Sequence, residues 1–176
     1  MFIYDRNWHR NNGFRGTDLY LGFSNVLHRG EASLDTLGRV TLESGEKPFG
    51  DTKHLLDALA PCPNLRIVLT SSWAWWLGDA EVIALLPPAL GRRVVGTTRE
   101  FPLTIDEAES GCGYVGSIIR HATTKRLKSW LAIGSDFRGV PNQLARHFLE
   151  LPVTGLGSGS NREALRASLR SNFNSA

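Results

Sequence analysis

An alternating apolar run near the start of the chain constrains the fold more than any other feature. Leu19, Leu21 and Phe23 occupy every second position, and a polar turn over residues 22–25 ends the run. Such alternation is typical of a short buried strand, here the first strand of a parallel sheet. Because ligands of an open parallel sheet bind at the carboxyl ends of its strands, the end of this strand should form the floor of any site. The residues expected on that floor are Gly22, Ser24, Asn25 and His28.

Further strands and helices alternate along the rest of the chain. Apolar runs predict strands at residues 65–69, 93–95 and 151–154, whereas residues 130–133 either end a helix or form another strand. Periodic apolar residues predict helices at 51–60, 79–86, 114–121 and 163–169, with a further helix beginning near Trp73. Residues 29–50 are expected to form a loop or small hairpin, and residues 99–113 a weakly patterned insert. This alternation indicates an α/β three-layer sandwich with a mainly parallel central sheet.

One domain is predicted, over residues 17–170. Residues 1–16 contain several aromatic side chains, and we expect this leader to pack on the domain because exposed aromatic rings are unfavourable. Residues 171–176 are expected to fray as a tail.

Composition and charge argue against several classes of protein. The 176 residues carry a net charge of only +3, which disfavours nucleic acid as a partner unless the basic residues cluster. Two cysteines make neither a disulfide framework nor a zinc site. Because no apolar run has the length of a signal-peptide core or a membrane span, we expect a cytoplasmic protein that binds no membrane.

Four short motifs, in a defined order, carry a family resemblance. The strand that precedes Val-Leu-His28 is followed by Ile-Val-Leu-Thr-Ser-Ser-Trp73, by Arg-Val-Val-Gly-Thr-Thr98 and by Trp-Leu-Ala-Ile-Gly-Ser-Asp136. Together they resemble the haloacid dehalogenase-like (HAD) superfamily, and most of all the small bacterial HAD domains of the type found in Swiss Army Knife RNA-repair proteins. The resemblance covers about residues 17–170. It implies a Rossmann-like HAD fold with little or no cap domain.

The first motif departs from the family pattern at its two reactive positions. In the family this strand ends in Asp-x-Asp-Gly-Val-Leu-His, where the first Asp is the nucleophile and the second is the general acid and base. This chain has Gly22 and Ser24 at those positions, and Asn25 in place of the glycine. Glycine has no side chain that could attack phosphorus, and serine needs a partner base for proton transfer. The resemblance therefore implies a site with degenerate catalytic motifs.

The fourth motif has lost its leading acids as well. The family pattern places carboxylates for Mg²⁺ after Trp-Leu-Ala, whereas this chain has Gly134 and Ser135 and keeps only Asp136. Magnesium is usually anchored by one or two carboxylates together with substrate phosphate. We therefore expect no metal and no other cofactor, with Mg²⁺ bound only if some activity survives.

The second and third motifs offer candidate phosphate contacts. Thr70, Ser71 and Ser72 could bind an oxyanion at a helix N-terminus, or they could serve as ordinary helix caps. For the third motif, which requires a basic side chain, Lys125 and Arg126 are the candidates. His28 is expected to pack against the loop that follows it.

Two groups of residues are candidates for a partner-binding surface. One tryptophan among Trp73, Trp75 and Trp76 should face the core. Trp75 and Trp76 are candidates for contact with a partner, since aromatic residues are enriched at binding hot spots, or all three could pack internally or under the loop at 29–50. A stripe of arginines at helical spacing could contact phosphate or an acidic protein, or could be a solvated face. Its members are Arg162, Arg166 and Arg170.

The motifs together favour a catalytically degenerate HAD-like protein that binds a macromolecular partner, most simply another protein. An inhibitor, such as an immunity protein that neutralises a toxin, is one concrete form. Two alternatives remain: a residual phosphohydrolase that uses a displaced acid, Asp136 or Asp18, and a sensor of a phosphorylated ligand or nucleotide. The sequence does not predict an oligomeric state.

Overall fold

The structure is a computed structural model that describes residues 17–37, 39–111 and 113–173. The predicted leader, residues 1–16, lies outside the described residues. The strands are β1 (Thr17–Leu21), β2 (Ala32–Leu34), β3 (Val40–Leu42), β4 (Arg66–Leu69), β5 (Val94–Thr97), β6 (Ser129–Gly134) and β7 (Phe148–Glu150). The helices are α1 (Thr52–Leu59), α2 (Trp73–Leu77), α3 (Asp79–Leu85), α4 (Pro88–Gly91), α5 (Ile105–Ser110), α6 (Val115–Thr124) and α7 (Gly159–Phe173). Short 3₁₀ helices span Asn142–His147 and Gly155–Gly157.

Five strands form one parallel sheet in the order β5-β4-β1-β6-β7. The first strand of the sequence therefore lies in the centre, between β4 and β6. Leu21 is level with Leu69 of β4 and Ile133 of β6, so these three strands end side by side. The predicted α/β architecture with a parallel central sheet is confirmed.

Alternate residues of β1 supply the two faces of the sheet, as the apolar pattern predicts. Leu19 and Leu21 belong to a buried cluster on one face. The helical members of that cluster come from α1, α2, α3, α4 and α7. Tyr20 belongs to the cluster on the opposite face, which includes Ile118 of α6. Helices thus cover both faces of the sheet and complete three layers.

The two inserts that could carry a cap are small. Between β1 and α1 lies the antiparallel β2–β3 hairpin, which confirms the expectation of a loop or small hairpin. Between β5 and α6, the segment predicted to be weakly patterned contains the helix α5. Its start is a capping box that sequence reasoning missed, in which Thr104 and Glu107 each bond to the other's backbone N–H.

Several predicted bounds are wrong. Of the two alternatives left open for residues 130–133, the strand is the one observed, because α6 stops at Thr124 and Arg126 has a left-handed φ of 52°. The last strand is Phe148–Glu150 and not residues 151–154, since Pro152 has no N–H with which to continue the ladder. The terminal helix is longer than predicted and includes residues 171–173 of the expected tail. No helix in the described part of the chain is long and apolar enough to cross a membrane.

Candidate functional site

The ends of β1, β4 and β6 bring the first, second and fourth motifs together at the carboxyl edge of the sheet. The Gly22 N–H donates to the Ile133 carbonyl at 3.0 Å, and the Thr70 N–H donates to the Leu21 carbonyl at 3.0 Å. This edge is where a parallel sheet binds its ligands. We use the name edge crevice for the region around Gly22, just outside the carboxyl ends of these three strands.

Gly22 leaves room for a methyl group. A Cβ built on it would lie 3.5 Å from the Ile133 carbonyl oxygen, 3.6 Å from Gly134 Cα and 3.9 Å from Thr70 Oγ1. These are ordinary van der Waals distances. The first motif thus has no side chain at position 22, and no neighbouring side chain occupies the place of a Cβ there.

Gly134 is different, because an aromatic ring covers it. A Cβ on Gly134 would lie 2.8 Å from Cζ and 3.2 Å from Cε1 of Phe137. The Phe137 ring is 9% exposed and packs edge-on against Phe148 with a centroid distance of 5.0 Å, so it cannot move aside at little cost. A carboxylate at position 134 would therefore require repacking of the core.

Asp136, the surviving acid of the fourth motif, is held in an ion pair on the surface. The guanidinium of Arg138 contacts both of its oxygens, with Nε–Oδ1 at 2.9 Å and Nη2–Oδ2 at 2.7 Å. These hydrogen bonds lower the pKa of Asp136. The carboxylate is exposed, whereas Ser135 beside it is half-buried.

A magnesium ion of the kind that the family resemblance implies does not fit these residues. The crevice offers no carboxylate from position 22, 24, 134 or 135, and Asp136 is engaged by Arg138. Within residues 17–37, 39–111 and 113–173, no three His, Cys, Asp or Glu side chains are grouped so that they could hold a metal ion.

A carboxylate from a neighbouring loop contacts Ser24 of the first motif. The Ser24 hydroxyl donates a 2.7 Å hydrogen bond to Glu31 Oε2, which comes from the loop leading into β2. Sequence reasoning missed Glu31, because its only link to the motif is a contact across a turn of seven residues. No local pattern signals this contact.

Tyr114 joins the same group from the start of α6. Burial raises the pKa of Tyr114, a hydrogen bond with Ser72 opposes the rise, and the negative charge of Glu31 adds to it. Tyr114 therefore lies beside Ser72, and Glu31 is near enough for its charge to act on the phenol. We call Ser24, Glu31, Ser72 and Tyr114 the polar rim of the edge crevice. Sequence reasoning did not single out Tyr114.

The hydroxyl cluster of the second motif serves partly as a helix cap. Thr70 and Ser71 are buried, with exposures of 5% and 7%. The Ser71 hydroxyl accepts a hydrogen bond from the Trp73 N–H at 3.2 Å, whereas Ser72 makes no side-chain capping bond. Phosphate binding by these three residues stays a prediction.

Lys125 belongs to the far end of α6, and its predicted phosphate contact stays a prediction. It follows the last residue of α6, and that helix leads to the start of β6, at the opposite edge of the sheet. Its Nζ lies 3.1 Å from Glu100 Oε1. A helix that connects two parallel strands runs back against them, so only its first turn can reach the carboxyl edge. In α6 that turn begins with Val115 and Gly116.

Of the three tryptophans, Trp73 faces the core as expected, with 1% exposure. Trp75 and Trp76 are exposed by 39% and 55%. Both come shortly after the second motif in the sequence, so they lie on the side of the molecule that carries the edge crevice. Their role in partner binding stays a prediction.

The arginine stripe on α7 is engaged within the chain. Arg162 Nη1 donates to the carbonyls of Leu156 and Gly157 at 3.0 and 2.8 Å. Arg166 and Arg170 both pair with Glu163, at 3.6 and 3.2 Å. One carboxylate thus faces three guanidinium groups, so the stripe keeps a net positive charge, and its role in binding stays a prediction.

His28 packs against the following loop, as expected. Its ring stacks on Trp73 with a centroid distance of 5.6 Å, and its Nδ1 accepts from the Phe49 N–H at 3.4 Å. The side chain is 2% exposed, and burial lowers its pKa to about 4. His28 is therefore neutral near pH 7 and supports the loop.

Comparison with known proteins identifies one family. A family model described as the HAD domain in Swiss Army Knife RNA repair proteins matches residues 19–158. The comparisons with curated proteins and with solved structures gave no significant match.

Proposed function

The chain belongs to the family of HAD domains in Swiss Army Knife RNA repair proteins. We propose that it acts by binding a macromolecular partner and not by phosphoryl transfer. The partner is most simply a protein. An inhibitor of another protein, for example an immunity protein that neutralises a toxin, is a concrete form of this role.

The ring of Phe137 over Gly134 is the observation that carries the proposal. If position 134 had only lost its side chain, the space would stay open to an acid from elsewhere in the chain. Instead the Phe137 ring occupies that space, since a Cβ on Gly134 would lie 2.8 Å from the ring. Together with the missing side chain at Gly22, this packing supports a crevice that no longer assembles a nucleophile and a metal site. Loss of a nucleophile alone typically lowers the rate by several orders of magnitude.

The displaced-acid alternative is disfavoured by the positions of its two candidates. Asp18 is 2% exposed and lies at the amino end of β1, where Arg66 Nη2 approaches Oδ1 at 2.6 Å. Asp136 is paired with Arg138 at 2.7 Å. Neither carboxylate is free to attack a phosphate in the edge crevice.

A protein partner is favoured by the exposed indoles. Trp75 and Trp76 present large apolar surface next to the crevice, and tryptophan is enriched among residues that dominate binding energy. A nucleic-acid partner would call for a large basic surface, and the net charge of the chain is only +3.

An assay of phosphatase activity tests the loss of catalysis. Purified protein is incubated with a chromogenic phosphomonoester, with and without Mg²⁺, beside the Asp136→Asn variant. We expect no metal-dependent turnover in either protein. Turnover that needs Mg²⁺ and disappears in Asp136→Asn would refute the proposal in favour of the phosphohydrolase.

Co-expression with the products of neighbouring genes tests partner binding. We expect a stable 1:1 complex on size-exclusion chromatography, which the double variant Trp75→Ala, Trp76→Ala weakens. Leu85→Ala is the matched control, since this exposed apolar residue lies on the next helix, α3. A complex that survives loss of both indoles would exclude this surface.

A thermal-shift panel of inorganic phosphate, nucleotides and phosphosugars tests the sensor alternative. A bound ligand at about 100 times its Kd would stabilise the protein by about 2.7 kcal/mol. We expect no such shift from any member of the panel.

A further inference from the structure

A pocket of about 200 Å³ lies where the chain after β1 meets the loop before α1 and the turn before α7. Two glycines complete a wall whose side chains are those of His28, Arg29, Glu46, Lys47 and Asp51. We call this space the His28 pocket. No residue of the polar rim lines it. Since a cavity of about 150 Å³ can hold a benzene molecule, the His28 pocket can hold a ligand of several heavy atoms.

Backbone hydrogen bonds fix the walls of the His28 pocket. The Asp51 N–H donates to the Leu27 carbonyl at 2.9 Å, and the Leu156 N–H donates to the Val26 carbonyl at 3.2 Å. These bonds tie the loop before α1 and the turn before α7 to the buried chain after β1. The pocket is therefore formed before any ligand arrives, which lowers the entropy lost on binding.

His28 is the buried member of the lining, and one of its ring nitrogens has no partner. Its Nδ1 accepts from the Phe49 N–H, so in the neutral ring the proton is on Nε2. Within the part of the chain that the structure describes, this buried Nε2–H has no hydrogen-bond acceptor. Because Nδ1 is engaged, Nε2–H is the polar group that His28 can offer to the pocket. Buried donors without an acceptor are rare and costly, so we look to the pocket for the acceptor.

The other lining side chains carry charges of both signs that are not used within the fold. None of Arg29, Glu46, Lys47 and Asp51 forms an ion pair with another residue of 17–37, 39–111 or 113–173. Asp51 is half-buried at the N-cap of α1, yet its carboxylate makes no capping hydrogen bond. Two positive and two negative groups thus remain for a ligand.

We propose that the His28 pocket binds a small zwitterion, a molecule with one carboxylate and one ammonium group, as in free amino acids. The carboxylate accepts from His28 Nε2–H near the positive charges of Arg29 and Lys47, and the ammonium group donates to Asp51. A plain anion would bring its charge close to the two acids, and a plain cation would leave Nε2–H without an acceptor. This site goes beyond the proposed function and does not depend on it.

The test follows the isolated protein by ¹⁵N–¹H NMR of its histidine rings and its backbone amides. In the free protein we expect the Nε2–H form of His28. Glycine, β-alanine and γ-aminobutyrate are zwitterions with increasing charge separation, and acetate, methylammonium and inorganic phosphate are the controls with one kind of charge. We expect a zwitterion to shift the Nε2 signal of His28 and the amide signals of Arg29, Gly50 and Gly157 with millimolar affinity. Each control should bind at least about tenfold more weakly, because it forms one of the two charge-assisted contacts.

Two variants assign the ammonium contact to one carboxylate. Asp51→Asn keeps a good N-cap residue for α1 and should weaken binding of the zwitterion by at least about tenfold, because it removes the charge that strengthens the contact. Asp57→Asn removes an exposed acid from the same helix, outside the pocket, and should bind like the parent protein. Both variants change the net charge equally, and the dispersion of the NMR signals shows whether each is folded.

Several results would overturn the inference: a proton on Nδ1 of His28 in the free protein, no shift with any zwitterion, or unchanged binding by Asp51→Asn. Acetate or phosphate that binds as tightly as the best zwitterion would overturn it as well and would identify a simple anion site. None of these results bears on the partner complex, which the Trp75 and Trp76 variants test, so failure of this inference leaves the proposed function standing.

Discussion

Adding one methyl group at each of the two motif glycines should have opposite effects on stability. In Gly22→Ala the new Cβ meets its nearest atom at 3.5 Å, while in Gly134→Ala it meets the Phe137 ring at 2.8 Å. Both glycines lie at the carboxyl edge of the sheet, on neighbouring strands, so each variant is the control for the other.

The magnitudes follow from packing and chain entropy. Inserting a methyl into a filled core typically costs about 1–3 kcal/mol, and we expect a loss of that size for Gly134→Ala. Where the backbone tolerates the change, replacing glycine by alanine stabilises by about 0.4–1 kcal/mol, because the unfolded chain loses freedom. We therefore expect Gly22→Ala to equal or exceed the parent protein in stability.

Urea unfolding followed by tryptophan fluorescence measures both effects, since Trp73 and Trp130 are buried. The midpoint should fall for Gly134→Ala at an unchanged slope. For a chain of this length, about 1 kcal/mol corresponds to a change in Tm of about 2–4 °C.

A double-mutant cycle with Phe137→Leu identifies the cause. If the ring produces the clash, the cost of Gly134→Ala should shrink by at least about 0.5 kcal/mol in the Phe137→Leu background. A Gly134→Ala protein as stable as the parent, or a cost that is independent of residue 137, would refute the claim that the fourth-motif position is filled.

Three further predictions concern buried or tightly packed polar groups. Burial lowers the pKa of His28 to about 4, whereas the pKa of this side chain in the unfolded state is about 6.5, so the unfolded state binds more protons as the pH falls. The free energy of unfolding should therefore drop by roughly 3 kcal/mol between pH 6.5 and 4 and level off below pH 4. In urea titrations at each pH, His28→Gln should reduce this dependence on pH. Arg66→Met leaves the buried Asp18 carboxylate without its partner and should cost about 3–5 kcal/mol at pH 7, with Asp18→Asn in the same background restoring part of the loss. A Cβ at position 116 would overlap the Glu107 carboxylate, so Gly116→Ala should displace that carboxylate from its ion pair with Arg120 and lower the Tm. An unchanged Tm would contradict the close approach of α5 to α6.

The architecture could be predicted because its signals are local. The period-two apolar residues Leu19 and Leu21 and the apolar run that ends at Leu69 need only their neighbours in sequence to indicate buried strands. The order of the four motifs then indicated the family, and the match over residues 19–158 confirmed it. Errors concentrated at element ends, such as the final strand, where pairing with β6 and Pro152 decide the bounds.

The prediction for Lys125 used sequence spacing alone. Lys125 matched the third motif by its distance from Trp130, but that distance ignores the direction of the connecting helix. Once β6 is taken as a strand parallel to β5, a residue just before it must lie at the amino edge of the sheet.

The chain's linear pattern was enough to establish the fold class and the absence of the motif acids, because side-chain identity and apolar spacing are properties of short segments. Tertiary structure alone decided what replaced those acids. Phe137 covers Gly134, whereas Gly22 stays open, and Glu31 reaches Ser24 from another loop. These contacts form only when the folded strands bring side chains from different segments together, so the spacing of residues along the chain does not predict them.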